Sequence, residues 1–169
     1  MKFAYADPPY LGCCRRYEHR HQEPWGCWDE TDEHEALMLR LDREYDGWAY
    51  SCSSTSLQEL LPLAPAGVRV AAWVKPFAAF KRNVRIAYTW EPVLFRPGRD
   101  SSKAGAPVGR DHLSQVITLK RGLTGAKPPP PFCRWVLDLL GYIGSEDTLD
   151  DLFPGTGVMA TVLAQEVLL

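Results

Sequence analysis

Two short stretches near opposite ends of the chain hold side chains whose types and spacing suit chemistry. The first, Asp7-Pro8-Pro9-Tyr10, sets a carboxylate, two rigid backbone carbonyls and an aromatic ring within one turn. It follows the apolar run 2–6, which reads as a short buried strand, and its prolines end any ladder, so the turn lies at that strand's carboxyl end. Such a set fits a planar exocyclic amine. The amine lone pair is delocalised into its ring, and acceptors on both N–H groups favour the tetrahedral nitrogen a nucleophile needs, while the tyrosine face stacks on an extruded base. A proline-stiffened turn without a ligand is the competing reading. The second stretch is Asp151-Leu152-Phe153-Pro154-Gly155-Thr156-Gly157, a strand running through a Gly-x-Gly turn into a helix. Glycines there let a ligand approach the backbone, and the helix start offers free N–H groups to a carboxylate. Tight strand-to-helix turns need glycine for conformational reasons as well. Both stretches end strands, and in an open parallel sheet the carboxyl ends share the edge where ligands bind.

The elements that would position these turns alternate between strand and helix. Thr31 is placed to cap a helix with Asp32, Glu33 and Glu35 in its first turn, and Leu37, Met38, Leu41 and Tyr45 recur on one face. Residues 48–52 read as a strand, followed by a helix with Ser56 and Glu59 as a capping box. A third strand spans 68–74 and is closed by Lys75-Pro76. Residues 86–95 read as one strand or two, interrupted at Glu91-Pro92, and a short strand is expected at 115–119. Pro128 to Pro131 set up a helix in which Phe132, Trp135, Val136, Leu139 and Leu140 follow helical spacing. The last strand is expected at 148–153, with a small-residue helix after the glycine turn. This alternation predicts an α/β domain with a mostly parallel sheet.

At 169 residues the chain suits one domain, read as 1–169, and 46% hydrophobic residues give it a real core. Disorder, collagen and coiled coil are excluded. The apolar run after Met1 stops at Asp7, and no stretch is long enough to span a bilayer, so a cytoplasmic protein without a membrane partner is expected. Five scattered cysteines predict reduced thiols. The net charge of −2 hides a segregated pattern, because residues 69–127 hold twelve basic side chains against three acidic ones. A polyanion-facing surface and a merely solvated basic surface explain that equally.

Together the two motifs resemble the catalytic and cofactor motifs of S-adenosylmethionine-dependent DNA amino-methyltransferases, of phage or bacterial type, which methylate adenine N6 or cytosine N4. Their order, catalytic motif first, and the Lys127-Pro128 ahead of the helix before the cofactor strand resemble the circularly permuted class. The resemblance implies a class I methyltransferase fold, Rossmann-like with helices on both faces of the sheet, shortened at its C-terminus. It implies S-adenosylmethionine as cofactor, DNA as partner, and adenine N6 as the target, in a bacterial cell or a phage-infected host. By the same resemblance Asp7, Pro8, Pro9 and Tyr10 are catalytic. Asp7, Lys127, Pro128, Asp151, Phe153, Pro154, Gly155, Thr156 and Gly157 would line the cofactor. Residues 96–127 stand where a target-recognition domain would, and Arg96, Arg99, Lys103 and Arg110 are expected to hold phosphates. No strand follows the last helix to supply the family's ribose-binding acid, with Glu166 the one nearby carboxylate, so weak cofactor binding or a homodimer is expected. An RNA or free-nucleobase methyltransferase, and a catalytically silent nucleic-acid-binding module, remain as alternatives.

Cys13, Cys14, His19, His21 and Cys27 invite a zinc site, but an adjacent Cys pair and a His-x-His match no usual structural zinc pattern, so no metal is expected. Trp25 and Trp28 read as lid-to-core packing ahead of base contacts. Ser53 and Ser54 read as a helix cap, and Trp73, Trp90 and Trp135 as core.

Overall fold

A computed structural model describes residues 1–14, 28–76, 85–99, 109–116 and 128–166. Its six strands are β1 (Lys2–Ala6), β2 (Gly47–Ser51), β3 (Arg69–Val74), β4 (Trp90–Arg96), β5 (His112–Ser114) and β6 (Thr148–Asp151). They form one sheet in the order β5-β3-β4-β2-β1-β6. β1 runs parallel to β2 and to β6, and β3 parallel to β5, whereas β4 is antiparallel to both its neighbours. Five strands therefore point the same way, and their carboxyl ends make one edge. The start of β4 joins that edge from the other direction.

Period-two alternation along the strands divides the core in two. Phe3 and Tyr5 of β1, Trp73 of β3 and Phe95 of β4 face α3 (Pro130–Leu140) and α4 (Val158–Glu166), where Phe132, Val136, Leu140, Met159 and Val162 are buried against them. Ala4 and Ala6 of β1, Trp48 and Tyr50 of β2, and Leu94 of β4 face the other way. They pack on α1 (Thr31–Glu44) and α2 (Leu57–Leu60) through Leu37, Met38, Leu41 and Leu60. The small β1 alanines share the α1 layer, while its aromatic residues fill the opposite layer. Buried indoles keep partners: Trp73 Nε1 donates to the Gln115 carbonyl at 3.1 Å and Trp135 Nε1 to the Arg110 carbonyl at 2.8 Å.

Local details depart from the sequence reading in physically clear ways. Thr31 is the first helical residue of α1 rather than its cap; Glu30 occupies the cap position without a side-chain bond, and Asp32 and Glu33 complement the helix dipole instead. The capping box does not form, because the Ser56 hydroxyl donates back to the Ser53 carbonyl and α2 lasts a single turn. Glu91-Pro92 lies inside β4 rather than breaking it. The Pro92 carbonyl accepts from Cys52, just past the end of β2, so the missing N–H faces a side where the β2 ladder has stopped. β5 forms at His112–Ser114, ahead of the 115–119 expectation, of which 117–119 lie outside the described residues. β6 ends at Asp151, two residues early, as the chain bends toward the glycine turn. No helix among the described residues is long and apolar enough to cross a membrane.

Candidate active site

The register of β1 brings the two motifs together. Tyr5 pairs with Asp151 across the β1–β6 ladder, and the Leu152 N–H donates to the Tyr5 carbonyl at 2.9 Å. The Asp7 turn and the glycine turn therefore leave adjacent strands at the same edge. Pro8 and Pro9 are buried, while Asp7 and Tyr10 are half-buried at the mouth. The turn closes with the Cys13 N–H donating to the Tyr10 carbonyl at 2.8 Å. Beneath it, the buried Tyr5 hydroxyl and Ser51 Oγ share a hydrogen bond of 2.9 Å, joining the ends of β1 and β2.

Three more side chains reach this edge from β3 and β4. Tyr10 donates its hydroxyl to Glu91 Oε2 at 3.3 Å, and Lys75 Nζ pairs with Glu91 Oε1. Lys75 is only 8% exposed and its ammonium lies 4.3 Å from the centre of the Trp73 ring, a cation–π contact. Its backbone N–H donates to the Thr89 carbonyl at 2.7 Å, which ties the end of β3 to the approach to β4. This environment acts on Asp7. Burial pushes its carboxyl up to about 7, the Glu91 and Asp151 carboxylates add to the rise, and Tyr10 hydrogen bonding and the Lys75 charge oppose it. Burial also raises Asp151, against the pull of the Phe153 N–H that donates to its Oδ1 at 3.3 Å. Cys52 and Cys133, near the same carboxylates, are pushed by burial to about 12 and stay neutral thiols.

In the glycine turn Gly155 and Gly157 have φ of +46° and +71°, a left-handed backbone that side chains resist. Among the described residues beyond its chain neighbours, no atom lies within 4 Å of where a Gly157 Cβ would stand, which leaves its backbone open to a ligand there. The Gly157 N–H donates to the Pro154 carbonyl at 2.7 Å, and α4 begins one residue later. Pro154, Gly155 and Thr156 are exposed, and Phe153 packs edge-on against Trp28, ring centres 5.3 Å apart. Trp28 is in turn held by His34, whose Nε2 lies 2.8 Å from the Trp28 carbonyl. Pro128 leads into α3, whose first turn sets Phe132 against Tyr5 and Trp73, so the start of α3 borders the same edge.

The fold has a counterpart among solved structures: the crystal structure of the M1.HpyAVI–SAM complex matches with a TM-score of 0.59. The match covers 98% of this chain and 78% of that one at 13% identity. The two proteins share a fold. No family model and no curated protein matches the sequence. The α/β architecture of M1.HpyAVI is thus present here with a mostly parallel six-stranded sheet and helices on both faces.

Other residues expected at a site are placed elsewhere. Arg96 ends β4 at the edge opposite Asp7, where it pairs with Asp42, and Arg99 is bound to Asp147, to Glu146 and to the Gly141 carbonyl. Both guanidinium groups are engaged by the protein's own carboxylates, as acidic segments of the sequence fold back onto its basic one. Arg110 is exposed beside β5, on the far side of the sheet. Glu166 ends α4, pairs with Arg134 and packs on Gly144, a helix length from the glycine turn. Lys103, Lys127, His19, His21, Trp25 and Cys27 lie outside the described residues.

Sequence reasoning missed Lys75 and Glu91 as members of this edge. Each had a signal. A lysine closing a buried apolar strand and a glutamate before a strand proline both mark charged groups at a strand end, but the partner that makes them a pair is visible only once β3 and β4 are side by side.

Proposed function

We propose that the protein is an S-adenosylmethionine-dependent methyltransferase acting on an exocyclic amine, adenine N6 in DNA. The observation that carries this reading is the convergence of the Asp7-Pro8-Pro9-Tyr10 turn and the Gly155–Gly157 turn on adjacent parallel strands at one edge. The likeness in fold to M1.HpyAVI, solved with SAM, supports the cofactor. The residues present fit that ligand: a left-handed glycine backbone with open space at Gly157, free N–H groups at the start of α4, and Asp151 and Phe153 beside them. The motif order, Asp7 turn before glycine turn, supports the permuted class.

When bound, S-adenosylmethionine supplies a methyl group on a sulfonium centre, which accepts the breaking bond's electron pair and leaves as a neutral thioether. The chain's own groups prepare the nucleophile. Ionised Asp7 and a proline-turn carbonyl accept the two amine N–H groups, localising the lone pair on nitrogen, and Tyr10 stacks on the base. The methylated nitrogen then sheds its extra proton toward the Asp7 carboxylate and water. Asp7 must be ionised to accept, so turnover rises with pH through about 7. The test is transfer of labelled methyl from S-adenosylmethionine to duplex DNA, single-stranded DNA, RNA and free nucleobases, run beside a thermal shift with the cofactor. Label in DNA N6-methyladenine with cofactor stabilisation is expected. Stabilisation with label only in RNA or free base would reassign the substrate, and neither stabilisation nor label would leave a silent binding module.

A further inference from the structure

Lys75 is a cation almost sealed in protein, and its ion pair is costly to desolvate, so its position at the catalytic edge calls for a reason. Its ammonium is sandwiched between the Trp73 ring and Glu91 Oε1, while the second oxygen of that carboxylate takes the Tyr10 hydroxyl. The three side chains come from β3, β4 and the Asp7 turn, elements far apart in sequence. Tyr10 is half-buried, so its ring would otherwise swing about its side-chain torsions at the mouth of the site. We propose that Lys75 and Glu91 are positioning residues for Tyr10: Lys75 fixes the Glu91 carboxylate, and Glu91 holds the tyrosine hydroxyl so that the ring presents one face to the incoming base. This rests on the methyltransferase reading of the site.

The same carboxylate faces Asp7, which gives the relay a second readout. Among the described residues, the charged groups around Asp7 are Glu91 from β4, Asp151 from β6 and Lys75 from the end of β3; Tyr5, Tyr10, Tyr50, Cys52 and Cys133 face it as neutral groups. Removing the Glu91 charge lowers the pH at which Asp7 ionises, and removing the Lys75 charge raises it.

The experiment compares Tyr10→Phe, Glu91→Gln, Lys75→Met and the apolar pair Lys75→Met/Glu91→Leu in the full chain. The apolar pair guards against simple unfolding, since a buried ion pair replaced by hydrophobic residues commonly leaves stability intact. Expected is a loss in single-turnover methyl transfer of roughly 10- to 100-fold for Tyr10→Phe and for the apolar pair, the scale of a misaligned reactant, with cofactor affinity and melting temperature unchanged. Combining Tyr10→Phe with the apolar pair should cost no more than either alone once each rate is taken on its high-pH plateau, where the separate effects of Tyr10, Glu91 and Lys75 on Asp7 drop out and the shared Glu91–Tyr10 link remains. The pH limb of the rate should move down in Glu91→Gln and up in Lys75→Met. Carbon-13 resonances of the Asp7 carboxyl and the Tyr10 ring carbon bearing the hydroxyl, followed in the free protein, report the same two effects without turnover. If wild type transfers no methyl but these resonances respond, the methyltransferase reading fails and the relay stands. If the apolar pair keeps the rate within twofold, or neither resonance responds, the relay is wrong.

Discussion

A carboxyl group raised by burial to about 7 at the carboxyl edge of the sheet carries a stability cost with a definite sign. Asp7 ionises near its ordinary value of 3.8 in the unfolded chain and near 7 when folded, so folding favours its protonated form. The penalty is absent below the unfolded value, grows as pH rises toward 7 and is complete above it. Asp7→Asn should therefore raise the melting temperature at pH 8 and leave it unchanged at pH 3.5, as scanning calorimetry across pH would show. A gain that is equal at both pH values would mean the carboxyl is not perturbed. The same group explains why the site tolerates two neighbouring carboxylates. Asp151 and Glu91 crowd Asp7, and Lys75 offsets part of their charge.

At the scale of elements, the strand-helix alternation was legible because long periodic faces such as 132–140 and 37–45 survive any tertiary context. Both turns were legible too, since proline and glycine act on their own backbone. What the sequence hid were contacts between distant elements. The capping box at Ser56 lost to a local Ser53–Ser56 network, and Pro92 could stay in β4 only because β2 stops beside it. The amino-edge clamp was hidden as well: Asp147, whose side chain is fully buried, accepts from Arg99, from the Met1 ammonium and from the Ile143 N–H at 2.7 Å. Those donors hold its carboxyl well below the usual range, so its contribution is present at neutral pH and fades as pH falls through the acid range. Asp147→Ala should cost about 3 kcal/mol in urea denaturation at pH 7, because it strands a partly buried guanidinium; a cost near zero would mean that the clamp is not formed. At the glycine turn, Gly157→Val should cost on the order of 1–2 kcal/mol through its left-handed backbone alone. Cofactor affinity should fall far more, because the side chain fills the open ligand face, and calorimetric titration of the folded variant separates the two effects.

Across the whole molecule, three described basic side chains of residues 69–127 are answered by carboxylates, two of them from outside that stretch and one, Glu91, from within it. Asp42 takes Arg96, Asp147 takes Arg99 and Glu91 takes Lys75. Arg85 is exposed in the segment leading into β4, whose first residues lie at the sheet edge that carries Asp7. Arg85→Ala should lower the salt slope of DNA binding by about 0.9 for a duplex phosphate lost, and Arg96→Ala should leave it unchanged. The reverse result would place the nucleic acid on the opposite edge. That placement matters for whether the Asp7 turn and the glycine turn form one site for methyl transfer. Single-turnover transfer of labelled methyl to adenine-containing DNA at saturating S-adenosylmethionine, comparing wild type with Asp7→Ala, decides it. Expected are N6-labelled adenine with wild type, a rate rising through pH 7, and no detectable transfer by a folded, cofactor-stabilised Asp7→Ala. Near-normal transfer by that variant would show that the Asp7 turn is not where the methyl is transferred.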